Sequence, residues 1–88
     1  MSNTNKIRLV VVTTAEDVED EFNLNQPLRV LFNRALQAVG GEGNKDQFGL
    51  EFNDIELVDF SRKIGDLVEE LGWVDGTHLE LVPKPVVV

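Results

Sequence analysis

The chain has 88 residues, room for one small domain with a single hydrophobic core. Hydrophobic residues make up 42% and charged residues 27%, the balance of a folded globule and not of a disordered tail. Sixteen acids against eight bases leave a net charge of −8, which argues against nucleic acid or an anionic membrane as partner, and the lack of cysteine excludes disulfides, thiolate metal sites and a cysteine nucleophile.

Lys6 to Thr13 is rich in β-branched residues and free of Gly and Pro, which predicts a strand. Ile7, Leu9 and Val11 share one face of it, and Arg8, Val10 and Val12 the other. After a polar connection, Val18 to Leu24 alternates again and predicts a hairpin partner. Asp20 falls on the apolar side of that strand and is expected near its open end. Leu28, Leu31, Phe32, Ala35, Leu36 and Val39 then recur at helical spacing, with Asn25 as the expected N-cap, Pro27 in the first turn and Gly40-Gly41 as the stop.

Phe48 to Phe52 predicts a third strand, Asn53-Asp54 a turn and Ile55 to Val58 a short fourth strand. Ser61 is expected to cap a shorter helix carrying Ile64, Leu67, Val68 and Leu71, ended by Gly72. Asp75-Gly76 signals a turn, and Thr77 to Val82 a last strand with Leu79 and Leu81 inward. Helices on one side of a mixed sheet make an α+β domain. The outer face of that sheet would carry Arg8, Glu19, Glu21, Glu51 and Glu80.

This order and spacing resembles the ubiquitin-like β-grasp family over Lys6 to Val82. The segment from Phe48 to Leu57 is similar to ubiquitin's third strand, tight turn and fourth strand, and Gly76 to Val82 to its last strand. The resemblance implies a flexible lead of residues 1–5, a β-grasp domain over 6–82 with four to five strands, one main helix and one short helix, and an extended tail of Pro83, Lys84, Pro85, Val86, Val87 and Val88. It implies a protein tag, most similar to bacterial ubiquitin-like proteins. Its partners would be homologues of activating enzymes, conjugating enzymes or deconjugating proteases, with the catalytic thiol on the partner.

The departures are specific. Val87 and Val88 stand where modifiers of this family carry Gly-Gly, so activation would need a trimmed end or an enzyme tolerant of stiff, β-branched residues. Glu51 stands in place of the isoleucine at the centre of ubiquitin's apolar patch, and Glu80 in place of the neighbouring histidine, while Val82 is retained. Glu51, Glu80 and Val82 are thus the candidate partner-binding face, and the alternative role is a non-covalent module binding a basic partner. Only Lys6, Lys45, Lys63 and Lys84 supply lysines, and the main helix uses Arg29 and Arg34 instead.

The remaining candidates carry less chemistry. Glu16, Asp17, Glu19, Asp20 and Glu21 lack the spacing of a calcium loop and read as a solvated hairpin or a docking surface for a basic partner. Gly40-Gly41-Glu42-Gly43 follows a helix instead of preceding one, which fits helix termination and not a phosphate loop. His78, the one histidine, has no serine or acid at triad spacing, and Trp73 reads as a cap on the core edge or an interface anchor. No catalytic residue, metal site or cofactor is expected, and the chain is not expected to be an enzyme. The valines at the end read as an inert tail, a strand added to a partner's sheet or a processed remnant. The first five residues lack a signal peptide, and no apolar run approaches the roughly 20 residues that span a bilayer. A cytoplasmic monomer is the expectation.

Overall fold

A computed structural model describes residues 5–41 and 43–84. Residues 1–4 and the tail residues Pro85, Val86, Val87 and Val88 lie outside the described residues. The elements are β1 (Lys6–Val12), β2 (Asp17–Asn23), α1 (Leu28–Val39), a 3-10 turn (Lys45–Gln47), β3 (Phe48–Phe52), β4 (Ile55–Leu57), α2 (Ile64–Leu71) and β5 (Thr77–Pro83). They form one sheet in the order β2-β1-β5-β3-β4, with β1 and β5 parallel and the other pairs antiparallel.

Alternation along each strand decides what the sheet buries. Ile7, Leu9 and Val11 of β1, Leu50 of β3 and Leu79 and Leu81 of β5 are buried, and they meet Leu28, Leu31, Phe32, Ala35 and Leu36 of α1 in one core. Every buried residue among those described is apolar. Trp73 is 3% exposed and packs edge-on against Phe52, so it belongs to the core. Val10 is a departure: it lies on the outer face with Arg8, yet β1 is central enough that its neighbours cover it.

Asp20 is not at the hairpin's open end. It sits mid-strand opposite Leu9, on the helix side, and its carboxylate accepts from Arg34 Nε of α1 at 3.0 Å. β2 is an edge strand, so the side chain can reach around the core to that partner.

The helix starts also differ from expectation. Neither Asn25 nor Ser61 caps a helix; the capping positions are Pro27 and Lys63, and neither makes a side-chain cap. Backbone carbonyls replace the missing side chains. The first amides of α1, Leu28 and Arg29, donate to the carbonyls of Arg62 and Phe60 at 2.8 and 3.0 Å. The first amides of α2, Ile64 and Gly65, donate to the carbonyls of Gln26 and Leu24 at 2.9 and 2.8 Å. Each helix is thus capped by the segment that leads into the other. Ser61 instead donates its hydroxyl and its amide to Asp59, which holds the Asp59 carboxyl below its usual range. Gly40 and Gly72 take left-handed conformations and end the two helices as expected.

Both expected tail boundaries move. The Asn5 carbonyl accepts from the Leu24 amide at 2.7 Å, and Pro83 pairs with Phe48 inside β5. Proline is tolerated there because the next ladder bond falls on its neighbour: the Lys84 amide donates to Gln47 at 2.7 Å.

A Cβ on Gly65 would lie 3.0 Å from the Leu24 carbonyl that its own amide must reach. Gly→Ala in a helix ordinarily gains about 0.5–1 kcal/mol. Gly65→Ala is expected to reverse that sign and cost about 1–3 kcal/mol by overpacking, read as a lower urea midpoint with an unchanged slope.

Candidate functional site

The outer face of the sheet gathers residues far apart in the chain. β3 and β5 pair with Glu51 opposite Glu80 and Gly49 opposite Val82, so the three residues expected to form the partner-binding face are brought together. Two further acids join them. Glu56 stands opposite Glu51 across the β3–β4 hairpin. The turn that closes this hairpin puts Asn53 and Asp54 at φ 50° and 66°, the left-handed pair of a tight two-residue turn. That turn places the Asp54 carboxylate so that oxygens of Glu51, Asp54 and Glu80 all lie within 4.8 Å of one another.

Neutralisation is uneven across the face. Glu19 and Glu21 of β2 face Arg8 and Lys6 at 3.5 and 3.9 Å, and Glu56 faces Lys84 at 3.0 Å. The Lys84 stem crosses over Gly49, where a Cβ would lie 2.9 Å from it. Asp17, Glu51, Asp54 and Glu80 have no ion pair among the described residues. The expected acidic hairpin is therefore largely satisfied internally, and the uncompensated charge concentrates on the β3–β5 side. Asp17 extends the row, since it and Glu80 both flank Val12 on the same face.

Like charges directly opposite on neighbouring strands destabilise a sheet. Here Glu51 faces a glutamate on both sides. A basic protein surface would relieve that repulsion, and the attraction would be salt-sensitive because the groups are near solvent. Three carboxylates at this spacing would also suit a hard cation such as Ca²⁺, although exposed acids commonly stand this close without one. Asp54 and Glu56 were not singled out in the sequence; the two-residue length of the turn fixes the hairpin register and was the signal that could have found them. His78 is exposed opposite Val10, and its ring has no hydrogen-bond partner among the described residues. No helix is long and apolar enough to cross a membrane among the described residues.

No protein-family model and no curated protein matches the chain. Solved structures do match. Ubiquitin from Caldiarchaeum subterraneum is 17% identical with a TM-score of 0.71, covering 94% of this chain and 99% of its own. The C-terminal ubiquitin-like domain of human 2'-5'-oligoadenylate synthetase-like protein is 22% identical with a TM-score of 0.71, covering 100% of this chain and 94% of its own. A ubiquitin-like domain from Arabidopsis thaliana is 16% identical with a TM-score of 0.68, covering 98% and 85%. The fold is the ubiquitin-like β-grasp.

Removing the central charge of the row should relieve repulsion on both sides. Glu51→Gln is expected to raise stability by roughly 0.2–1 kcal/mol at low ionic strength, with the gain shrinking in high salt, as measured by thermal unfolding.

Proposed function

We propose that the chain is a non-enzymatic protein-interaction module whose sheet face, at Glu51, Asp54 and Glu80, docks a basic surface on a protein partner. The observation that carries this reading is the convergence of those carboxylates, unpaired among the described residues, beside Val82. A face that costs the free fold stability has its compensation in the bound state. Lysine or arginine side chains on the partner would sit between the carboxylates, and an apolar group would cover Val82.

A second reading has its own support. Lys84 and Pro83 line the same surface as Glu51 and Val82, so the chain leaves the sheet next to the acidic face. An enzyme gripping that face would hold the C-terminal segment close to its own active site. This suits a protein tag of a bacterial conjugation-type pathway, activated through a trimmed or non-glycine C-terminus by a homologue of the activating enzymes.

Two measurements separate the readings. Affinity capture at low salt, compared between the unaltered chain and Glu51→Lys/Glu80→Lys, tests the docking face. The bound protein is expected to be basic, to elute with salt and to be lost from the double variant; retention by the variant overturns the docking face. Incubation with ATP and the activating-enzyme homologue encoded nearest the chain's gene tests the tag. A covalent adduct by mass spectrometry supports it, and no adduct with either the full or the trimmed chain rules it out.

A further inference from the structure

The chain is strongly acidic, so a place where cations remain uncompensated is informative. Lys6, Arg8, Arg34, Arg62 and Lys84 all have a carboxylate within ion-pair distance. Arg29, Lys45 and Lys63 have none among the described residues. Arg29 and Lys45 come from different elements, yet both line one cleft of about 350 Å³ on the helix side of the sheet. Lys84 stands at its rim, and Asp46 is the one acid of the lining.

The floor of this cleft is aromatic. Phe32 and Phe60 stack with ring centroids 4.4 Å apart and planes 24° from parallel, and Phe48 adds a half-buried third ring. These walls are fixed in advance. The Arg29 amide is bonded to the Phe60 carbonyl, which ties the cation's helix to the ring opposite. The Lys45 turn is held at both ends, by Asn44 to Gly41 at 2.9 Å and by Lys84 to Gln47 at 2.7 Å. Phe48 lies so close to Gly41 that a Cβ there would be 2.7 Å from its ring. A preformed cleft spends little of its binding energy on ordering itself.

We propose that this cleft is a second docking site, for a short acidic segment of a partner protein that carries an apolar side chain between carboxylates. The apolar side chain lies on Phe48 and Phe60. The flanking carboxylates meet Arg29, whose planar guanidinium suits bidentate contact, and Lys45. The occupant is a peptide because the cleft offers two separated cations around an apolar floor, with its cationic rim open to solvent. A long polyanion would be repelled by the net charge of −8 and by Asp46, so the acidic segment is short. The site lies on the other side of the sheet from Glu51, Asp54 and Glu80, with Lys84 bordering both, and its chemistry is opposite in sign.

The test is an amide-resolved NMR titration of the full chain with three probes at equal concentration. They are the blocked peptide Glu-Asp-Phe-Asp-Glu, its uncharged analogue Gln-Asn-Phe-Asn-Gln, and inorganic phosphate. The acidic peptide is expected to shift the amides of Arg29, Asn33, Lys45 and Phe48. The uncharged analogue and the variant Arg29→Glu/Lys45→Glu should each bind roughly tenfold or more weakly, as loss of paired charge predicts. Equal binding of both peptides, or shifts centred elsewhere, overturns the proposal. So does the same pattern from phosphate alone, which would make the cleft a general anion site. The peptide comparison uses no variant, so misfolding of the charge-reversed protein cannot mask the answer.

Discussion

The two helix starts hold this domain together by capping each other. A helix exposes unsatisfied amides at its N-terminus, and side chains of Ser, Thr, Asp or Asn commonly satisfy one of them. Pro27 and Lys63 cannot do so, and the carbonyls of Leu24, Gln26, Phe60 and Arg62 act in their place. A buried amide left without a partner costs about 1–3 kcal/mol. Neither helix can therefore be completed until the lead-in to the other is in position. The same lock puts Phe60 on Phe32 and leaves Arg29 of α1 beside the turn at Lys45. A short chain with a thin stability margin gains cooperativity from this arrangement.

The sheet divides its labour by parity. One side is apolar where it meets the helices, apart from Asp20 at the β2 edge, which pairs with Arg34 of α1. The other carries charge, sorted into a neutralised half on β1 and β2 and an uncompensated half on β3 and β5. The uncompensated half opposes folding, while the helix side has a cationic cleft. Net charge alone hides this polarity: an acidic chain can present surfaces of both signs.

Much of the fold was legible in the sequence because its signals are local. The alternation of Ile7, Leu9 and Val11, the helical spacing from Leu28 to Val39, the Asn53-Asp54 turn and the stops at Gly40 and Gly72 all needed only neighbouring residues. The failures share a different cause. Asn25 and Ser61 have the right chemistry for caps, but carbonyls distant in sequence took the role. Asp20 found Arg34 across a sheet edge, and Pro83 stayed in β5 because its neighbour made the ladder bond. Glu51, Glu80 and Val82 were legible as a face through the family resemblance. Asp54, Glu56, Arg29 and Lys45 were not, since their meeting depends on strand register and on the packing of a turn against a helix.

Asp20 has one more consequence. A bare outer strand offers its backbone to any passing chain, and two copies can zip together edge to edge. A carboxylate turned inward in the middle of β2, with Asp17, Glu19 and Glu21 along the other side, makes that joining costly. At the opposite edge β4 has only three residues to offer. Both edges of the sheet therefore discourage strand-to-strand joining between copies of this domain.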